Sequence, residues 1–172
     1  MIKVYQTIID VKHGNCIQAV IASLFELPLE KVPHFLELGE NWFGVFYKFI
    51  REQGYDFDGT LYNYNRWRII NKREGVPTAK GLRNRLHKIK KMEGVKGYFF
   101  ASVYSPKYYN SKDKSPVTHA VIIDKNFNIV HDVNPENDKL MSYPESNKLK
   151  YNGILDIYKE CRKTHRSLAD GM

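Results

Sequence analysis

The chain has 172 residues, of which 42% are hydrophobic and 27% are charged, a composition that predicts one globular domain large enough to bury its own core. It carries a net charge of +8 and two cysteines, without zinc-type ligand spacing or a glycine-rich phosphate loop, so we expect no disulfide framework, metal or cofactor. We expect a cytoplasmic protein that does not enter a membrane, because no run of roughly 20 apolar residues and no basic-then-apolar signal sequence is present.

The first predicted elements surround Cys16. Residues 1–9 are rich in β-formers and predict a short edge strand. Apolar residues then recur at helical spacing from Cys16 to about Leu27, which predicts a buried helix that Pro28 ends. Asn15 would cap this helix and place Cys16 in its first turn, where the helix dipole favours a thiolate. Cys16 is therefore a candidate nucleophile, although cysteine on an apolar helix is also commonly a small core residue.

Two further helical segments precede an ambiguous stretch. Residues 28–35 predict a short helical turn, and residues 40–53 predict an amphipathic helix that Gly54 ends. Residues 55–70 mix aromatic and polar residues with weak strand character. Residues 78–92 predict a third helix whose apolar positions face inward. The first half of the chain is therefore predicted to be mainly helical.

Most of the positive charge lies in residues 66–96, which contain eleven Lys and Arg residues and two Glu residues, a local net charge of +9. The third predicted helix leaves three lysines outside as candidate binding residues for an anionic partner: Lys80, Lys88 and Lys91. A solvated face that serves solubility explains the same charge. Trp67 and nearby tyrosines interleave with Asn and Arg as on single-stranded nucleic-acid surfaces. Because no recognised nucleic-acid motif accompanies them, nucleic acid ranks last among the candidate partners.

Strand-forming residues dominate the second half of the chain. Runs of β-branched and aromatic residues predict strands at residues 97–105, 118–124 and 128–134. Residues 154–161 favour a closing strand over the alternative of a short helix. The strand at 97–105 is expected to be central in the sheet, and a polar loop over residues 106–116 follows it. Helices first and strands second predict an α+β fold, in a single domain over residues 1–161 with a frayed tail at 162–172.

A cysteine nucleophile needs a base within hydrogen-bonding reach and a third group that orients the base. His119 opens one strand of the predicted hairpin, and Asp132 lies near the end of the other. A two-residue turn would place them directly opposite each other, a four-residue loop diagonally on one face, and a three-residue loop on opposite faces. The first two arrangements give a His–Asp couple that faces the helix starting at Cys16. His131 points to the opposite face and is expected at the surface.

Separated motifs of the chain resemble the papain-like cysteine hydrolases, in particular a small bacterial and phage-encoded branch similar to bacteriocin-leader-processing peptidases. The matching elements are QT at 6–7, GNC at 14–16, AVIASLFELPLEKVPHF at 19–35, THAVI at 118–122 and VHDVNP at 130–135. The chain departs from the pattern at Val133, where relatives commonly have Pro. Residues 55–96 match no known element and are interpreted as an insertion-like basic middle.

This resemblance implies a papain-like fold in which Cys16 is the nucleophile, His119 the base, Asp132 the orienting group and Gln6 the side-chain donor of the oxyanion hole. It implies a cysteine peptidase, or another hydrolase or acyltransferase, that acts on an amide, isopeptide or thioester bond, in the host cytoplasm if the chain is phage-encoded. The alternative is a catalytically silent module of the same fold that binds a small anionic molecule or blocks a host protein. From the residues alone, His119 could instead be a half-buried structural histidine, although its pairing with Asp132 favours catalysis. Gln6 could equally be a polar residue of an edge strand. The sequence predicts no oligomeric state.

Overall fold

The structure, a computed structural model, describes residues 1–58, 93–109, 116–138 and 151–159. The described residues combine N-terminal helices with an antiparallel sheet that comes mainly from the C-terminal half, which confirms the predicted α+β class. The predicted helix at 78–92, the tail at 162–172 and all four candidate residues of the basic segment lie outside these ranges, so those predictions stay predictions: Trp67, Lys80, Lys88 and Lys91. Within the described ranges, no helix has the length and apolar character needed to cross a bilayer.

Two helices precede the sheet. Helix α1 spans Cys16–Phe25 and helix α2 spans Trp42–Glu52, with 3₁₀ turns at Leu29–Lys31 and Phe35–Asn41 between them. Helix α1 ends earlier than predicted, because Glu26 adopts a left-handed conformation with φ of 57° before the chain reaches proline. Gly54, with φ of 80°, follows α2 as predicted.

The sheet has five described strands in the order β1-β5-β2-β3-β4, and every neighbouring pair is antiparallel. Their bounds are Tyr55–Asp58, Tyr98–Tyr109, Pro116–Asp124, Ile129–Asp132 and Tyr151–Lys159 for β1 to β5. Strand β2 is central, as predicted, but it extends to Tyr109, and β3 already begins at Pro116. The predicted loop at 106–116 is therefore wrong at both ends. A short helix α3, Pro135–Asp138, follows β4.

The core fixes α1 against the middle of the sheet. Five apolar side chains of α1 are almost completely buried: Ala19, Val20, Ile21, Ala22 and Leu24. They belong to one cluster with Phe100 of β2, with Ala120 and Ile122 of β3 and with Phe46 and Ile50 of α2. Burying a side chain the size of Val, Leu, Ile or Phe typically stabilises a fold by about 1.5–3 kcal/mol. The first turn of α1 is thus held in a fixed position beside β3.

The N-terminal segment forms no strand in residues 1–13, so the prediction of an edge strand is wrong. Instead of pairing with a strand, the backbone of this segment forms hydrogen bonds with side chains and with one loop carbonyl. Ser23 Oγ accepts a hydrogen bond from the Val4 N–H at 2.9 Å, and the Gln6 N–H donates to the Val133 carbonyl at 2.9 Å. His131 Nε2 contacts the Val4 carbonyl at 2.9 Å and is completely buried, so its predicted surface position is also wrong. The segment therefore connects α1 to the end of β4.

Candidate active site

Cys16 is the first residue of α1, as predicted, and its side chain is only partly exposed. The first N–H groups of a helix have no partner within the helix, so they point toward whatever lies at its start. Hydrogen bonding by the backbone N–H groups of Ala120 and Ile17 is among the causes that lower the pKa of Cys16. Helix α1 and strand β3 thus each supply a donor that favours a negatively charged sulfur.

His119 and Asp132 form the predicted couple. The distance between His119 Nε2 and Asp132 Oδ1 is 2.6 Å, and the side chain of Asp132 is only 4% exposed. Val121 pairs with Asp132 across β3 and β4, and His119 lies two residues before Val121. The two side chains are therefore diagonal neighbours on one face of the sheet, as the four-residue alternative predicted. A register shift between Ile122 and Ile123 contributes to this alignment.

Direct opposition of the two side chains, which a two-residue turn would give, is wrong. The loop between β3 and β4 covers four residues, 125–128. Asp124 Oδ1 accepts hydrogen bonds from the N–H groups of Asn126 and Asn128 at 2.8 and 2.9 Å, and Phe127 adopts a positive φ of 63°. An aspartate side chain that binds its own following backbone stabilises such a wider loop.

Two pKa shifts follow from the contact between Cys16 and His119. Burial opposes a charged sulfur, yet the hydrogen bond with His119, followed by its positive charge, leaves the pKa of Cys16 below the ordinary thiol value. Burial also disfavours a charged imidazole, but the hydrogen bonds with Asp132 and Cys16 raise the pKa of His119 to about 10. Because the same contact moves the two pKa values in opposite directions, it favours a thiolate–imidazolium pair over two neutral groups.

Two asparagines surround the carboxylate of Asp132. The N–H of Asn134 donates to Asp132 Oδ1 at 2.9 Å, and Asn137 Nδ2 of α3 lies 3.3 Å from Asp132 Oδ2. Both carboxylate oxygens therefore accept hydrogen bonds, which fixes the orientation of the side chain. Sequence reasoning missed both asparagines, because their contacts depend on the sharp turn after β4, which residue types alone do not specify.

Gln6 lies beside the nucleophile, as the resemblance implies. It lines the same cleft as Cys16 and His119 and is 7% exposed. Its Nε2 donates to the carbonyl of Ile8 at 3.3 Å, a long hydrogen bond, and its Oε1 is buried without a hydrogen-bond partner among the described residues. A primary amide carries two N–H groups, so one of them is not used by Ile8.

Asn15 occupies the position before α1 but does not cap the helix with its side chain, so that part of the prediction is wrong. Its Oδ1 accepts hydrogen bonds from the N–H groups of Thr7 and Ile8, both at 3.0 Å. Its Nδ2 donates to Thr7 Oγ1 at 3.1 Å and to Gln18 Oε1 at 3.0 Å. The side chain therefore connects Gln18 of α1 to the segment that carries Gln6.

The cleft at Cys16 has a volume of about 180 Å³. One part of its wall is apolar and comes from the loop before α1, the second 3₁₀ turn and β3: Ile9, Val11, Leu36 and Val117. Sites for whole small molecules usually measure about 300–1,000 Å³. The cleft therefore accommodates a short part of a substrate rather than a large ligand.

The structure brings all four predicted catalytic residues, Cys16, His119, Asp132 and Gln6, to one site. Searches of protein-family profiles, curated proteins and solved structures each gave no match for this chain. The chemistry of the site consequently has to be inferred from its own residues.

Proposed function

We propose that this chain is a papain-like cysteine hydrolase or acyltransferase that acts on an amide, isopeptide or thioester bond. The observation that carries the proposal is the contact of Cys16, at the start of α1, with His119, whose Nε2 lies 2.6 Å from Asp132 Oδ1. A nucleophile, a base and a group that orients the base are the three parts that covalent acyl transfer needs. The helix-first, antiparallel α+β arrangement supports a papain-like fold.

The geometry supports specific roles in the first step. A carboxylate oxygen only accepts hydrogen bonds, so His119 Nε2 carries the hydrogen toward Asp132, and Nδ1 remains for Cys16. The Cys16 thiolate attacks the substrate carbonyl and forms a bond from sulfur to carbon. The negative charge on the carbonyl oxygen is stabilised by the Cys16 backbone N–H and the Gln6 side-chain amide.

In the second step the tetrahedral intermediate breaks down. The bond to the leaving amine, alcohol or thiol breaks as His119 donates its Nδ1 proton to that group, which leaves an acyl group on Cys16. Water or another acceptor then attacks the acyl carbon while His119 takes its proton. Release of the acyl product restores the thiolate–imidazolium pair.

One observation favours a second candidate, a silent module of the same fold that only binds. The Gln6 amide already donates one of its two N–H groups to the carbonyl of Ile8, so only the other one remains for an oxyanion. A protein that kept the pair of Cys16 and His119 but lost the oxyanion site would bind an acyl compound at Cys16 without turnover.

The test uses p-nitrophenyl acetate, an activated ester, on protein carrying Cys161→Ser so that Cys16 is its one thiol. Intact mass spectrometry follows the acetyl group on the protein, and absorbance follows p-nitrophenolate. We expect an acetyl group on Cys16 that forms and then disappears over repeated turnovers. His119→Ala is expected to slow acetylation by about 10²-fold or more, because a general base contributes that much.

Cys16→Ser in the same background is the matched control for reaction at other side chains. Acetylation that is equally slow with and without His119 would contradict the enzyme. An acetyl group that forms quickly but never leaves would favour the silent module.

A further inference from the structure

The buried amide of Asn15 connects the start of α1 to the segment that carries Gln6. Asn15 is 2% exposed, and all four hydrogen bonds of its side chain measure 3.0–3.1 Å. The backbone adds a fifth contact, because the Asn15 N–H donates to the Ile8 carbonyl at 3.3 Å. Four of these five contacts are with Thr7 and Ile8, the two residues that follow Gln6.

Gln6 itself and the residues before it in the chain are held by contacts with other elements. The Gln6 N–H donates to the Val133 carbonyl at 2.9 Å. Two residues earlier, Val4 is bound by Ser23 of α1 and by His131 of β4. The segment has no strand partner of its own, so these side-chain contacts determine where the Gln6 amide lies relative to the sulfur of Cys16.

We propose that Asn15 is a positioning residue for Gln6, which it holds at the oxyanion side of Cys16 through the backbone of Thr7 and Ile8. The inference rests on the proposed function, since it assigns to Asn15 a role in the acyl-transfer step. Removing the Asn15 amide leaves the N–H groups of Thr7 and Ile8 without their acceptor. We expect the segment to shift so that these N–H groups can bind water. A displacement of about 1 Å at a reacting group can cost on the order of 10²-fold in rate.

The position of the nucleophile does not depend on Asn15 in the same way. Cys16 is held by the packing of α1 against the sheet and by its contact with His119. Loss of the Asn15 amide is therefore expected to spare the thiolate and to impair only the stabilisation of the oxyanion.

Two reactions of Cys16 separate these effects. Iodoacetamide reacts at a saturated carbon, where a bond from sulfur to carbon forms as iodide leaves, and no oxyanion develops. With p-nitrophenyl acetate the sulfur attacks a carbonyl, an oxyanion forms, and p-nitrophenolate then leaves. The rate of acetylation divided by the rate of alkylation therefore measures oxyanion stabilisation and cancels the effect of thiolate content.

The experiment measures both rates on the full chain with Cys161→Ser, for Gln6→Ala, Asn15→Ala and the double variant. Gln6→Ala is expected to lower the ratio by about 10²-fold, since one oxyanion donor is lost. Asn15→Ala should lower it by at least about tenfold, with alkylation unchanged, because it acts through Gln6. For the same reason, the double variant should match Gln6→Ala alone.

Asn41→Ala is the matched control, because Asn41 precedes α2 as Asn15 precedes α1 and also makes no capping hydrogen bond with its side chain. Its ratio should equal that of the unchanged protein. If Asn15→Ala does not fold, Asn15→Ser, whose hydroxyl is too short to accept from both N–H groups, should lower the ratio in the same direction.

Several results would overturn the inference. They are an unchanged ratio in a folded Asn15 variant, an equal fall in both rates, or effects of Asn15→Ala and Gln6→Ala that multiply in the double variant. The proposed function fails by a different result, namely acetylation of the unchanged protein that does not depend on His119.

Discussion

The two ends of α1 both bring charged groups within hydrogen-bonding distance, but in very different surroundings. At its start, Cys16 meets His119, whose side chain is 15% exposed and lies 2.6 Å from Asp132. At its end, Glu26 lies 2.7 Å from Lys96 Nζ and 2.8 Å from the α-amino group of Met1. The side chain of Lys96 is 59% exposed.

Distances are alike at the two ends, so distance does not separate an active site from a surface ion pair. Water and salt screen the pair of Glu26 with Lys96, whose side chain is mostly exposed, and such pairs contribute little to folding. At the start of α1, burial removes that screening, and each charge depends on a neighbour that cannot be replaced by water. Changes at the buried end should therefore alter reactivity, whereas changes at the exposed end should not.

The largest effect is expected from Cys16→Ser. Turnover of p-nitrophenyl acetate should fall by at least about 10³-fold, because loss of a nucleophile removes the covalent route. The melting temperature should change little, since the substitution alters one atom at a helix end. A large fall in melting temperature, of the kind that core cavities cause, would instead identify Cys16 as a packing residue.

Asp132→Ala should have the next largest effect, because it removes the acceptor of His119 and of the Asn134 N–H. We expect alkylation of Cys16 by iodoacetamide at neutral pH to slow at least tenfold, since His119 loses a contact that raises its pKa. Stability should fall by about 1–3 kcal/mol for each buried donor left without a partner. Asp132→Asn keeps one acceptor oxygen, so its alkylation rate and its stability should lie between those of the unchanged protein and those of Asp132→Ala. Equal results for Asp132→Asn and Asp132→Ala would contradict a role of the charge.

Glu26→Gln is expected to have the smallest effect and serves as the exposed counterpart. Alkylation and turnover should not change. Its contacts with Lys96 and the α-amino group lower the pKa of Glu26 to about 2, from about 4.5 in an unfolded chain. The unfolded state therefore takes up the proton first as pH falls, so this carboxylate stabilises the fold above pH 4.5 and loses that contribution toward pH 2. Urea unfolding of both proteins across this range should show their difference disappear on acidification, and a difference that grows instead would contradict the ion pair.

The sequence predicts that Cys16, His119 and Asp132 come together because each of them lies on a regular element. Helical spacing after Cys16 predicts where α1 begins, and alternation in β3 and β4 keeps His119 and Asp132 on one face for either even loop length. The pairing also contains a register shift between Ile122 and Ile123, and only beyond this shift does Asp132 fall on the face of His119. The couple was therefore predictable as one of the possible pairings, whereas the irregularity that produces it was not.

The parts that the sequence does not predict are held by contacts between side chains and distant backbone. Asn15 is the residue type of a helix cap, yet it binds Thr7 and Ile8 instead. His131 belongs to a strand at the edge of the sheet, where a surface position is the ordinary expectation, yet the N-terminal segment covers it. Neither contact follows from local spacing, because each partner is defined only by the folded path of the chain.

The pH dependence of Cys16 alkylation by iodoacetamide tests the central claim, the buried thiolate–imidazolium pair, most directly. It would be measured with Cys161→Ser protein, with and without His119→Ala. In the unchanged site the pKa of Cys16 is lowered, so alkylation should persist to pH values below the ordinary thiol range of about 8.5. Without His119 only burial and two backbone donors remain, so the midpoint should move to higher pH. Two profiles with the same midpoint would show that His119 does not activate Cys16 and would contradict the account.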